Sequence, residues 1–194
     1  MLRRLTGNVT AVEKQTVVVD LSTVRGLGLE VWVSDPQSPA LAVGTEVTLI
    51  TYLHVRPEEL SLFGFLAEEE YRLFMQLIRV NGVGPRVAIG MLGVMNPAVL
   101  VQAILHDEPK VIAQTPGVGL RTAKKIILEL AERMADFAPL VQGVALPADQ
   151  DADMLTALTQ MGFSTAEASQ ALGQVPAEVQ DEGERLRLAL QNLG

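Results

Sequence analysis

The chain has 194 residues, enough for one large domain or two to three small ones, and its 48% hydrophobic content supports real cores. It contains no cysteine, which excludes structural disulfides, thiolate zinc sites and cysteine nucleophiles, and its 4% aromatic content leaves few stacking platforms for single-stranded bases. The net charge of −8 is uneven: residues 136–194 carry nine acidic and two basic side chains, whereas six basic and two acidic residues lie between Arg79 and Lys125. With no N-terminal apolar signal stretch and no run of about 18 apolar residues, the expectation is a cytoplasmic protein without membrane contact.

Residues 1–65 read as strands. The runs 5–10, 15–20, 29–33 and 46–52 are rich in β-branched residues with period-two alternation. Turn signals separate them at Glu13-Lys14, Arg25-Gly26-Leu27-Gly28, Asp35-Pro36 and Val43-Gly44. Four to six short strands in about 60 residues predict a small closed barrel, an OB-fold first and an SH3-like barrel as the alternative. Residues 53–65 predict a hairpin with Glu58 and Glu59 at its tip, which composition alone reads as a solvated acidic loop. The pair is not a catalytic dyad, because neighbours on a strand point to opposite faces and no metal-ligand cluster accompanies them.

From residue 67 to 134 the pattern is helical, and it says the same thing twice. Gly82-Val83-Gly84-Pro85-Arg86-Val87-Ala88 and Gly117-Val118-Gly119-Leu120-Arg121-Thr122-Ala123 are 35 residues apart and agree at five of seven positions. Each block sits between apolar helical runs, so each predicts helix, tight turn, helix. The turn needs the positive φ that glycine adopts freely, and the central Val can pack between the helices. The second glycine opens the next helix and bares its first amides at the positive end of the dipole, where a phosphate is favoured. Arg86 and Arg121 lie in that first turn, a position unfavourable for a cation unless an anion joins it. Ala88 and Ala123 are small enough for close helix approach. One such block is explained by an ordinary αα-hairpin; two with Arg and Ala in register point to a phosphate-binding pair. Glu68, Glu69 and Glu70 suit the first turn of the first helix, and Asn96-Pro97 starts another. Lys124 and Lys125 extend the basic surface, while Ile126, Ile127, Leu128 and Leu130 are read as the buried side.

Residues 136–150, with Pro139, Gly143 and Pro147, read as a flexible linker. Residues 151–194 predict three short helices. Leu155, Leu158, Met161 and Phe163 form an apolar stripe, Met161-Gly162-Phe163 ends the first helix, and Ser164 to Glu167 begins the second. The last helix is expected from about residue 177 to 193. A core this small suits an interaction module.

The duplicated blocks resemble tandem helix-hairpin-helix motifs, and the whole layout resembles the RuvA family of bacterial Holliday-junction-binding proteins. The most specific pieces are Asn81 to Pro85, Thr115 to Gly119, Val55-Arg56 with the acidic pair, and Leu62-Phe63-Gly64-Phe65. The fold class implied is multidomain, α and β: an OB-fold barrel over 1–65, an all-α tandem helix-hairpin-helix domain over 66–135, the linker over 136–150, and a three-helix, UBA-like domain over 151–194. The resemblance implies sequence-independent binding of four-way junction DNA, held open and nearly planar, by a homotetramer or by an octamer on DNA. It implies recruitment of the hexameric RuvB ATPase for branch migration, and contact with the RuvC resolvase. Gly82, Val83, Gly84 and Arg86, with Gly117, Val118, Gly119, Arg121, Lys124 and Lys125, would hold the DNA backbone. Glu58 and Glu59 resemble an acidic pin at the junction centre, although here Pro57 intervenes after Arg56. Leu120 stands where the family often has a basic residue. Leu155, Leu158, Met161, Phe163 and Leu172 would meet the motor. No catalytic residue, metal or cofactor is expected, and no Gly-x-x-x-x-Gly-Lys-Ser/Thr loop occurs, so the chain is read as a non-ATPase subunit. A helix-hairpin-helix glycosylase or nuclease, or a generic backbone-binding adaptor, are the alternatives.

Overall fold

The computed structural model describes residues 2–24, 26–141, 151–163, 165–176, 179 and 181–193. They fall into two compact units, Met1–Leu92 and Gly93–Gly194.

The first unit begins with five strands, β1 (Arg4–Val12), β2 (Thr16–Leu21), β3 (Gly28–Trp32), β4 (Glu46–Arg56) and β5 (Glu59–Phe65). They close in the order β1-β2-β3-β5-β4, with β4 pairing back onto β1. All pairings are antiparallel except β3 with β5, which meet in parallel at Trp32 and Phe63. This is the OB arrangement. The alternation read from sequence is physical: Leu5 and Val9 of β1, Val17 and Val19 of β2, Val31 of β3 and Leu49 of β4 all point into one buried core. A register shift between Val9 and Ala11 bends β1, as barrel closure requires.

Helix α1 (Glu68–Leu77) lies against this barrel. Its Phe74 is fully buried, with ring centroids 5.4, 5.5 and 4.8 Å from Tyr52, Phe63 and Phe65. Arg3 adds an outer tie, its guanidinium 4.2 Å from the Tyr71 ring and 3.3 Å from Glu68. Ala67 at the N-cap offers no side chain, and Glu70 substitutes for it: its carboxylate accepts from the Leu66 and Ala67 backbone and from Ser34 Oγ at 2.9 Å. The three acidic residues expected in the first turn are there. These contacts root α1 on the barrel, and α2 (Pro85–Val94) follows it after the first glycine turn.

The second unit contains α3 (Pro97–Leu105), α4 (Pro109–Ile112) and α5 (Leu120–Leu130). Asn96 caps α3 as expected, its Oδ1 accepting from Val99 N at 2.9 Å. On α5, Ala123, Ile126, Ile127 and Leu130 are buried. Leu128 is 82% exposed, contrary to its expected place on the buried side, because it stands two residues from Ile126 and Leu130 and so projects from another face of the helix. Residues Ala131–Val141 form a 3-10 helix with Met134 and Phe137 buried, so ordered structure runs through the first part of the expected linker. Two apolar side chains spaced by three keep this stretch on the core. Residues 142–150 of that linker lie outside the described residues.

The last three helices are α6 (Asp151–Gln160), α7 (Thr165–Gly173) and α8 (Glu182–Asn192). Met154, Leu158, Ala168, Ala171, Leu172, Val175 and Ala189 form their core. Helix α8 starts later than expected: Asp181 caps it, accepting from Glu184 N at 2.9 Å. The buried Arg185 is satisfied by the carbonyls of Pro176 and Val179, which hold the connection ahead of α8 in place. Ser164, Ala177, Glu178 and Gln180 lie outside the described residues. Among the described residues no single helix is long and apolar enough to cross a membrane, and no group of His, Asp and Glu could hold a metal ion.

Candidate nucleic-acid interface

The two glycine turns are built alike, bond for bond. In the first, Val83 N donates to Val80 O at 3.0 Å and Ala88 N to Gly84 O at 2.9 Å. In the second, Val118 N donates to Thr115 O at 3.0 Å and Ala123 N to Gly119 O at 2.9 Å. Gly82 and Gly117 have φ of 97° and 84°, so the first glycine of each block is required by the backbone. Val83 and Val118 are buried, each 4% exposed, and Ala88 and Ala123 are fully buried.

The second glycine has a different reason. Gly119 is the N-cap of α5 with φ −83° and ψ 166°, a conformation open to any residue, and Gly84 holds the same position before α2. A Cβ at either would meet nothing within 4 Å. Neither a positive φ nor a close neighbour within the described residues requires glycine there, and the space beside each is open. The amides of the next residues have no intrahelical acceptor. Pro85 removes one such donor from the first turn, whereas Leu120 keeps it in the second. The apolar Leu120 thus lacks charge but adds an amide.

The basic residues are not equivalent. Arg121 and Lys124 are exposed and have no ion-pair partner among the described residues, while Lys125 Nζ lies 3.8 Å from Glu129. Arg86 is engaged: its Nη2 donates to Glu59 Oε1 at 2.5 Å, and its guanidinium lies 4.7 Å from the centroid of Trp32. The anion expected to offset this cation at a helix start comes from the chain itself.

Glu58 and Glu59, expected together at the hairpin tip, occupy different places. Arg56 pairs with Glu59 across the β4–β5 ladder, leaving Pro57 and Glu58 as the two-residue turn. Glu58 is exposed and makes no hydrogen bond or ion pair with a described residue. Glu59 opens β5 and accepts from Ser61 Oγ at 2.6 Å as well as from Arg86. These two donors, Ser61 first, hold its carboxyl below the usual glutamate range. Trp32 and Ser61 are the members of this cluster that sequence reasoning missed. Trp32 is 54 positions from Arg86, and only barrel closure brings them together.

In the tail, Leu158 and Leu172 are fully buried in the three-helix core. Their side chains hold that core together. Met161 is 60% exposed, and Leu155 and Phe163 are partly buried.

Residues 1–64 match the family model described as the RuvA N terminal domain, and residues 74–132 match the SAM-like Helix-hairpin-helix tandem. The chain is 38% identical over 197 residues to the Holliday junction branch migration complex subunit RuvA of Neisseria meningitidis serogroup A, covering 100% of this chain and 99% of the relative. It is 36% identical over 200 residues to the protein of the same description from Dehalococcoides mccartyi, covering 98% and 97%. With that of Methylibium petroleiphilum it shares 38% over 197 residues, covering 100% and 99%. A barrel with an acidic hairpin, two glycine turns with matching hydrogen bonds and full-length relatives of one description lead to the same place: the chain belongs to the RuvA family.

Proposed function

We propose that this protein is the junction-binding, non-ATPase subunit of a branch-migration complex. It holds four-way junction DNA by its backbone without reading sequence, and it presents the junction to a separate motor. The observation that carries the reading is the pair of glycine turns, each with a bare N-cap glycine that nothing inside the chain requires. Phosphate oxygens fit there because they are small, anionic and able to accept from several first-turn amides at once. Gly82, Val83, Gly84 and Arg86 form the first backbone clamp, and Gly117, Val118, Gly119, Arg121, Lys124 and Lys125 the second.

The acidic turn supplies selectivity. Glu58 at the tip of the β4–β5 hairpin repels phosphates of a continuous duplex and is tolerated where strands diverge at a crossover. The tail, residues 151–194, is the module that meets the RuvB-type motor, through Met161 and Phe163 with Leu155 beside them. The working assembly is a homotetramer, with an octamer on DNA and contact with a RuvC-type resolvase as further expectations, and its place is the cytoplasm. The relatives are described as branch-migration subunits, which favours this reading over a helix-hairpin-helix glycosylase or nuclease.

The deciding experiment is competition between a four-way junction and a linear duplex of equal length, repeated across salt concentrations and with scrambled arm sequences. Expected are strong preference for the junction, a steep fall of affinity with salt, and less than about tenfold variation with sequence. Equal affinity for junction and duplex would overturn the reading.

A further inference from the structure

Arg86 is placed in the first backbone clamp, yet in the free protein it already has an anionic partner. Glu59 sits 2.5 Å from its Nη2, is itself steadied by Ser61 Oγ at 2.6 Å, and forms, with His54, Arg56 and Gly84, part of the lining of a cavity of about 130 Å³ beside the start of α2. The guanidinium also lies 4.7 Å from the centroid of the Trp32 ring, a second contact within this chain. Both charged side chains are about half exposed, at 60% and 45%, so incoming DNA can reach the pair. A carboxylate and a phosphodiester offer a guanidinium the same thing, two anionic oxygens for its forked N–H donors.

We propose that Glu59 is an internal stand-in for a DNA phosphate: it holds Arg86 while the first clamp is empty and must be displaced when backbone binds. On this inference, which rests on the reading that the first glycine turn binds phosphodiester, Glu59 is a positioning residue acting through Arg86 on every DNA alike. Glu58 alone is then the discriminating charge of the hairpin. The exchange also has an ionic signature. A free cation that neutralises a phosphate releases counterions and steepens the salt dependence of binding. When Arg86 leaves Glu59 for a phosphate, the exposed carboxylate gathers cations as the DNA loses them, so Arg86 contributes to affinity with little contribution to the salt slope.

The test uses the full-length protein as parent, E59Q, R86A and the E59Q/R86A double variant, titrated against a four-way junction and a linear duplex over a range of salt. Expected for E59Q is a gain of roughly two- to fivefold on both substrates, the scale of an exposed ion pair, and a log–log salt slope steeper by about 0.9. In the R86A background E59Q changes neither. S61A, which loosens Glu59 without removing its charge, shifts affinity in the same direction by less, and thermal melts report whether each variant is folded. An E59Q effect that persists without Arg86 would show a through-space charge and overturn the inference, as would weaker binding by E59Q. If R86A leaves affinity unchanged in both backgrounds, the clamp assignment of Arg86 itself fails, and the inference with it.

Discussion

Replacing the two glycines of one turn separately distinguishes what the backbone needs from what the ligand needs. Gly117→Ala puts a Cβ on a residue with φ 84°, where nothing lies within 4 Å of it. The cost is therefore conformational: about 1–2 kcal/mol for an L residue in the left-handed region, offset in part by about 0.4–1 kcal/mol from a less flexible unfolded chain. The net expectation is a loss of about 1 kcal/mol in stability. Gly119→Ala meets no such strain at φ −83° and ψ 166°, and its Cβ also faces open space. Loss of a favoured N-cap residue and gain from the stiffer unfolded chain oppose each other, leaving stability within about 0.5 kcal/mol of the parent. Binding should behave the other way. A methyl group at the N-cap stands where a phosphate would approach the first-turn amides, and a hydrogen bond to a charged group contributes about 1.5–3 kcal/mol, so junction affinity should fall at least about tenfold. Denaturant unfolding and fluorescence anisotropy with a labelled junction measure the two quantities. Gly119→Ala binding within twofold of the parent would refute the reasoning, because the bare glycine would then have no ligand to serve. Gly82→Ala and Gly84→Ala repeat the comparison in the first turn.

Four further outcomes are expected. Glu58→Gln should strengthen binding to linear duplex more than to junction; an unchanged affinity ratio would remove the hairpin tip from discrimination. A chain ending after Val141, which keeps the buried Phe137, should bind junctions within about twofold of the parent and lose stimulation of the motor's ATPase, and a truncated protein that still drives migration at full rate would misplace the motor contact. Phe74→Ala removes the ring shared by Tyr52, Phe63 and Phe65 and should cost about 3–5 kcal/mol by chemical denaturation, with under 1 kcal/mol sinking the view that this cluster roots α1 on the barrel. Burial raises the Glu70 carboxyl above the ordinary glutamate value, so the folded state holds the proton more tightly than the unfolded one. Its contribution to stability is then largest below the unfolded value and is lost as pH rises through the raised folded one. Glu70→Gln should accordingly gain on the parent as pH rises above the ordinary glutamate value, and a difference that stays flat over that rise would contradict it.

Much of this molecule was legible in the chain because its signals are local. Period-two apolar residues produced the strands, and Asn96-Pro97 marked a helix start because a cap and a fixed φ act over four residues. The duplicated Gly-Val-Gly was readable for the same reason: the positive φ at Gly82 and Gly117 is a property of the turn alone. Amphipathic detail was less secure, as Leu128 illustrates, since a leucine's side of a helix depends on a few tens of degrees of rotation that composition does not specify. Residues 136–141 were missed as ordered structure because the buried Phe137 stabilises them, and a Pro-containing stretch gives no local sign of that.

The separate placement of Glu58 and Glu59 belongs to the tertiary structure. Both are glutamates, adjacent and beside the same turn, and no local rule separates them. Strand register decides: pairing Arg56 with Glu59 leaves Glu58 in the turn and makes Glu59 the first residue of β5. Barrel closure then sets Trp32 beside Phe63, and the aromatic seat of α1 places the start of α2 where Arg86 reaches both Trp32 and Glu59. Those contacts join positions 27 and 54 residues apart, and they form only when long-range pairing has fixed the geometry. Sequence alone therefore determined which segments would be strands, turns and glycine-capped helix starts, while the fold decided which charges stand exposed and which are already paired, because ion pairing depends on distances that only closure of the chain creates.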